Sequence, residues 1–216
     1  MKRTKFVVIC LMILSLIVSV IGMFILPETI PTQIGPTGSP DQFGSKYFIF
    51  MFSGISIILG IIMLLVSNSN RFTENYQKYL LKTAVITELL FTLVLLVFVV
   101  VGISYNDGSI SVDLSKIMLI IVGALLILMG NFTPKIEKNR TLGFKTKWAL
   151  YNEVTWQKSQ RFMGFMCVVS GVILILSGIL FEGIVNMIIF ATVLVLMMIS
   201  STIASYLYYK KEVEKE

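Results

Sequence analysis

The 216-residue sequence is 56% hydrophobic and 14% charged, has a formal net charge of +6 and contains no histidine. A water-soluble domain of this length cannot bury so large a share of apolar residues, so these values exclude an ordinary soluble fold and indicate a membrane protein. The positive charge is not clustered on a soluble nucleic-acid-reading motif, and we therefore expect no direct contact with nucleic acid.

Six apolar runs predict an all-α fold, a polytopic membrane bundle of six transmembrane helices. Each run has about 19–23 residues, and at about 1.5 Å per residue such a helix crosses a hydrocarbon core of about 30 Å. The runs are too long and too uniformly apolar for the alternating strands of a membrane barrel. The predicted spans are Phe6–Leu26, Tyr47–Ser67, Thr83–Ser104, Val112–Gly130, Phe162–Phe181 and Ile184–Tyr206.

The distribution of lysine and arginine predicts the orientation of the bundle. If the N-terminus is cytoplasmic, sixteen of the 18 basic residues fall in cytoplasmic segments, and only Lys46 and Lys116 lie outside. Cytoplasmic segments of membrane proteins carry such an excess of basic residues. We therefore predict that both termini are cytoplasmic.

The spans and loops divide the chain into four predicted units. Residues 1–67 form two spans with a Pro/Gly-rich outer loop, and residues 68–130 form spans three and four. Residues 131–161 form a basic, aromatic cytoplasmic loop, and residues 162–216 form a helical hairpin with a charged tail.

The outer loop, LPETIPTQIGPTGSPDQFGSK, lies between spans one and two. Its prolines fix φ and, together with its glycines, favour turns and extended chain over helix. Two interpretations stay open, a rigid cap over the outer end of the bundle and a recognition surface for a ligand. The ligand-facing candidates are Pro27, Pro31, Gln33, Gly38, Asp41, Gly44 and Lys46.

The cytoplasmic loop mixes basic and aromatic residues. It is typical of an interfacial segment, with rings at headgroup depth and basic groups at anionic lipid. A docking face for a cytoplasmic partner is the alternative, and the two are compatible because they would use the same surface. Asn152 is a suitable N-cap for a helix that continues into span five. The lipid-facing or partner-facing candidates are Asn139, Gly143, Lys145, Trp148, Trp156 and Arg161.

Glu88 is the only acidic residue deep within a predicted span, because Asp113 stands at the very start of span four. A carboxylate within the membrane is costly and by default indicates a function. Thr87 and Thr92 lie near Glu88 on the helix, so we expect this face to point into the bundle. A structural hydrogen-bond or salt-bridge anchor that pairs with Lys82 or a loop arginine, and a coupling site for a transported ion or proton, both remain open.

Span five carries a stripe of glycines. Gly164, Gly171 and Gly178 recur every seven residues, which allows another helix to approach closely. Glu182 and Gly183 leave almost no connection before span six, so spans five and six are predicted to form a tight antiparallel hairpin.

The sequence gives little support to catalysis. It has no histidine base, Cys10 and Cys167 fall in different spans, and no phosphate-binding glycine loop is present. We therefore expect no enzyme, no catalytic residues, no cofactor and no metal site.

Two patterns resemble those of the SdpI-type immunity proteins. The outer loop, L-P-x-x-I-P-T followed by G-x-P-D-x-F-G-S-K, is similar to the signature of a bacterial membrane domain of unknown function that is commonly fused to that family. Where the family typically has histidine, this chain has Gln33 and Gln160. The second pattern is similar to the family's cytoplasmic loop at Gly130, Asn131, Lys135, Asn139, Gly143, Thr146, Trp148, Leu150, Trp156, Arg161 and Gly164.

The resemblance implies a multi-pass protein of the bacterial plasma membrane that gives immunity to a secreted peptide toxin of the sporulation-delaying type. It also implies signalling, in which a transcriptional repressor is held at the membrane. The implied partners are membrane lipids, the toxin at the outer face and a cytoplasmic repressor. A small transporter or exporter that uses Glu88 is the alternative. Glutamine keeps a hydrogen bond but does not titrate, so the two glutamines cannot perform proton chemistry.

Overall fold

A computed structural model describes residues 1–35, 40–69, 72–106, 114–139 and 141–215. Six helices in these ranges are long and apolar enough to cross a membrane, which confirms the predicted six-span, all-α bundle. They are α1 (Lys2–Ile25), α2 (Ile49–Ser67), α3 (Glu74–Asn106), α4 (Leu114–Phe132), α5 (Glu153–Leu180) and α6 (Gly183–Val213).

Several helices are longer than their apolar runs. Helix α5 begins at Glu153, ahead of the predicted span, because Asn152 caps it as expected. The Asn152 side chain accepts a hydrogen bond from the Thr155 N–H, and the Thr155 hydroxyl accepts one from the Asn152 N–H. Such a reciprocal box satisfies two backbone donors that would otherwise lack a partner at the helix start.

Interactions between helix ends define two faces of the bundle. At the basic face, Lys5 of α1 bonds Asn68 after α2, and Lys158 of α5 pairs with Glu212 of α6 at 2.9 Å. At the opposite end, which we call the hairpin face, Lys116 of α4 pairs with Glu182 before α6. Both termini therefore lie at the basic face.

The helices form two groups of three. Helices α1, α2 and α3 pack on one another, helices α4, α5 and α6 do the same, and contacts between α3 and α4 join the groups. Large apolar side chains such as Phe24, Leu65 and Leu180 are exposed around the bundle, as expected for helices surrounded by lipid.

A two-stranded antiparallel hairpin adds a small β element to the helical fold. Strand β1 (Thr29–Ile34) pairs with β2 (Pro40–Ser45), with Ile30 opposite Gly44 and register shifts on both sides of Gln33. A short 3-10 turn, Lys46–Phe48, leads from the hairpin into α2. The extended conformation agrees with the proline content of this segment.

Helices α4 and α5 touch through paired glycines. A Cβ on Gly123 would lie 2.6 Å from the Gly171 carbonyl oxygen, and a Cβ on Gly164 would lie 2.7 Å from the Gly130 carbonyl oxygen. The contacts recur every seven residues along both helices. At these positions the two backbones are too close for any side chain.

Candidate functional site

The hairpin is anchored on the bundle by Ile30. This side chain is completely buried and packs with Leu26, Ile49 and Val99. Gly102 of α3 makes room for it, since a Cβ there would lie 3.1 Å from Ile30 Cγ2. The β1 strand is therefore held against α3 and does not project freely from the bundle.

The accessible surface of the hairpin includes two of the predicted ligand-facing residues, Gln33 and Asp41, together with Phe43, which was not among them. Gln33, Asp41 and Phe43 are exposed, and the Phe43 ring lies 5.0 Å from the Tyr105 ring at the end of α3. The exposed part of the hairpin therefore offers a hydrogen-bonding, an acidic and an aromatic side chain.

The other predicted loop residues have different environments. Pro31 is buried, so it is not available to a ligand, and Pro27 is half-buried. Gly44 packs against β1, because a Cβ there would lie 2.8 Å from Thr32 Cγ2. Lys46 is half-buried and pairs with Glu28 at 3.0 Å, and Gly38 lies outside the described residues.

Residues 133–139 and 141–152, between α4 and α5, fold into a basic-face lobe. Trp156 of α5 inserts into the centre of this lobe. Its side chain is completely buried, and Nε1 donates a hydrogen bond to the Ile136 carbonyl at 2.8 Å. Ile136, Ala149 and Tyr79 pack in the same cluster. The interpretation of Trp156 as a lipid-facing or partner-facing residue is therefore wrong, because its indole is enclosed by the lobe and by α3.

Gln160 holds the lobe on α5. Its Nε2 donates to the Phe144 carbonyl at 2.7 Å, and its Oε1 accepts from the Phe144 N–H at 2.9 Å. The preceding Gly143 has φ of +91° and no space for a side chain, since a Cβ would lie 2.6 Å from Gln160 Oε1. Asn139 closes a turn by accepting hydrogen bonds from the N–H groups of Thr141 and Leu142.

The outer surface of the lobe and the adjoining start of α5 carry cations. Lys145, Lys147 and Arg161 are exposed, while Trp148 is half-buried against the Tyr206 ring at 5.2 Å between centroids. The arrangement presents exposed charged side chains on a backbone that the Trp156 and Gln160 hydrogen bonds hold in place.

Glu88 is completely buried between α1, α2 and α3, which confirms that this helix face points into the bundle. The Ser56 hydroxyl donates to Glu88 Oε2, and no ion pair to Glu88 exists among the described residues. A Cβ on Gly60 would lie 2.5 Å from Glu88 Oε1 and 2.7 Å from the Met12 sulfur. Ser56 thus takes the place of the lysine partner that the sequence suggested.

A buried amide near the hairpin face was not predicted from the sequence. Asn186 of α6 accepts from the Ser177 hydroxyl at 2.6 Å and donates to the Ser115 hydroxyl and the Phe181 carbonyl. In the sequence, Asn186 is marked only as an amide residue within an apolar run. Such side chains commonly form hydrogen bonds between membrane helices.

These features define a polytopic helical membrane protein with a β-hairpin at one face and a folded, cation-bearing lobe at the other. A model of the SdpI/YfhL protein family matches residues 135–205, and a model of a domain of unknown function, DUF1648, matches residues 10–57. The immunity protein SdpI of Bacillus subtilis (strain 168) is 30% identical over 212 residues, which is 97% of each chain. The chain therefore belongs to the SdpI/YfhL family. No solved structure matches it.

Proposed function

We propose that this chain protects a bacterial membrane from a secreted peptide toxin and that the hairpin is the surface that the toxin meets. The similarity to an immunity protein over 97% of the chain carries the proposal. The basic residues predict that the hairpin face is the outer one, which an extracellular peptide would reach first.

The hairpin has properties that suit peptide recognition. Ile30 anchors it, so little conformational freedom would be lost on binding. Gln33 and Asp41 offer hydrogen-bond and charge contacts, and Phe43 offers an aromatic one. We propose that the toxin is engaged here before it depolarises the membrane, and that protection requires neither cleavage nor transport of the toxin.

Membrane potential in toxin-sensitive bacteria tests the proposal. Cells that express the protein should stay polarised after a sporulation-delaying-type peptide is added, whereas cells with the Gln33→Ala/Asp41→Ala variant should lose most of that protection. Glu182→Ala removes an exposed carboxylate from the same face outside the hairpin and should protect normally. Depolarisation despite wild-type protein in the membrane would refute the immunity function for this toxin class. Full protection by the double variant would refute the role of the hairpin.

The Glu88→Gln variant separates immunity from ion-coupled transport in the same assay. Glutamine has nearly the same shape and can still accept the Ser56 hydrogen bond, but it cannot carry charge. If Glu88 is a packing residue, Glu88→Gln keeps at least half of the protection. Complete loss of protection, with normal amounts of folded protein in the membrane, would favour the transporter.

The exposed cations of the basic-face lobe favour a second function, the capture of a cytoplasmic repressor at the membrane. A reporter fused to the protein's own operon should respond to toxin in wild-type cells and fail to respond with Lys145→Glu/Lys147→Glu. The charge-matched Lys2→Glu/Lys78→Glu variant changes two exposed lysines of the basic face outside the lobe and should keep the response. Equal responses from both variants would contradict capture by the lobe.

A further inference from the structure

A groove opens at the basic face between α1, α3 and α4. It has a volume of about 540 Å³ and lies where the two three-helix groups meet. Neither the hairpin nor the cation-bearing residues Lys145, Lys147 and Arg161 contribute to it. The groove is therefore a separate feature from both proposed binding surfaces.

Three cations surround the mouth of the groove. Arg3, Lys82 and Lys135 come from three different segments, and all three are exposed. No carboxylate among the described residues forms an ion pair with any of them. Lys82 instead lies 5.0 Å from the centroid of the Tyr79 ring. Three converging cations without an acidic partner are complementary to an anion such as a phosphate.

The walls of the groove are apolar and run into the bundle. Val7, Leu89 and Leu128 line it, one from each of the three helices. At about 1.5 Å per residue, Leu89 lies about 10 Å further along α3 than Lys82. Leu128 lies about 12 Å from Lys135, because α4 ends at Phe132 and Thr133–Lys135 forms a 3-10 turn with a rise of about 2 Å per residue. A soluble phosphate compound would leave these walls uncovered, whereas a hydrocarbon chain would cover them.

We propose that this groove is a binding site for an anionic phospholipid. Its phosphate is held by Arg3, Lys82 and Lys135, and one acyl chain lies along the apolar walls. Basic pockets between membrane helices are suited to such headgroups. A lipid in this position contacts α1 and α3 on one side and α4 on the other, so it bridges the two helix groups.

Native mass spectrometry of the purified full chain, titrated with phosphatidylglycerol or with phosphatidylcholine of the same acyl chains, tests this proposal. Phosphatidylglycerol should bind at least tenfold more tightly. Each cation near an anionic lipid is worth roughly fivefold in affinity, so Arg3→Gln/Lys82→Gln/Lys135→Gln should weaken binding by roughly a hundredfold. The matched control, Lys147→Gln/Arg161→Gln/Lys211→Gln, removes three exposed cations of the same face outside the groove and should bind normally.

A second variant tests the apolar wall without any change of charge. Leu128→Trp should fill the groove and weaken phosphatidylglycerol binding at least tenfold, with thermal unfolding in lipid-free detergent unchanged. Equal binding by the groove and control charge variants, or normal binding by Leu128→Trp, would overturn the proposal. Competition by glycerol 3-phosphate would assign the site to a soluble phosphate compound instead. A dimer in detergent that Leu128→Trp disrupts would assign the groove to a second copy of the chain.

Discussion

Gln160 joins two parts of the chain that are 16 residues apart in sequence. Both polar ends of its amide are used, one by the carbonyl and one by the N–H of Phe144. A single backbone position is thereby fixed on α5, directly after the positive-φ Gly143. The role is one of shape and hydrogen bonding, and it needs no titratable group.

Gln160→Ala should loosen the basic-face lobe. Removing the amide takes the partner from two backbone groups, and an unpaired buried group costs about 1–3 kcal/mol. We expect the free energy of unfolding in detergent to fall by about 2 kcal/mol or more, with faster proteolysis between α4 and α5. Gln157→Ala, at an exposed position three residues earlier on α5, is the control and should leave both measurements unchanged. Equal effects of the two substitutions would contradict the role of the amide.

Among the helices, α4 and α5 have the most extensive contact in the described part of the chain. The two backbones are in contact at Gly123–Gly171 and at Gly130–Gly164. At Gly178, an added Cβ would lie 2.8 Å from the Lys116 carbonyl oxygen. In lipid, water exclusion does not drive helices together, so such close packing carries much of the association.

Gly171→Ala should weaken this pair. The new methyl group would meet the Gly123 carbonyl oxygen, which cannot move without separating the helices. Overpacking of this kind costs about 1–3 kcal/mol, to be measured as a lower free energy of unfolding in mixed detergent micelles. Gly54→Ala in α2 is the matched control, because nothing lies within 4 Å of its added Cβ. Stability of Gly171→Ala equal to that of Gly54→Ala would show that the contact carries no such constraint.

The sequence predicted the elements better than their contacts. Local sequence patterns were sufficient to predict the six apolar runs and the Asn152 cap. The inward orientation of Glu88 could be predicted from the polar residues on the same side of its helix. The burial of Trp156 could not be predicted, because composition does not distinguish an aromatic ring at the membrane surface from one buried in a lobe. The stripe on α5 was visible, but its partners Gly123 and Gly130 were not, because a glycine stripe does not identify the helix that it meets.

The two faces of the bundle carry different structural elements. The hairpin face carries the β-hairpin and lies near the buried, hydrogen-bonded Asn186 side chain. The basic face carries both termini, the lobe and the groove. The charge bias predicts that the basic face is cytoplasmic.

Cysteine labelling in intact cells checks this orientation. In a Cys10→Ala/Cys167→Ala background, Asp41→Cys should react with a membrane-impermeant maleimide added outside, because Asp41 is exposed on the hairpin. Lys147→Cys, also at an exposed position but on the basic-face lobe, should react only after the cells are permeabilised. The reverse pattern would place the hairpin in the cytoplasm and would remove the basis for its contact with an extracellular toxin.

The glycine pairs of α4 and α5 also limit how this family member can change through mutation. When two side chains collide, a smaller residue on the other helix can relieve the clash. Here a new methyl group on Gly171 would face a carbonyl oxygen, which every residue possesses. No second substitution at Gly123 can remove that oxygen, so a side chain at either position can be accommodated only if the helices move apart.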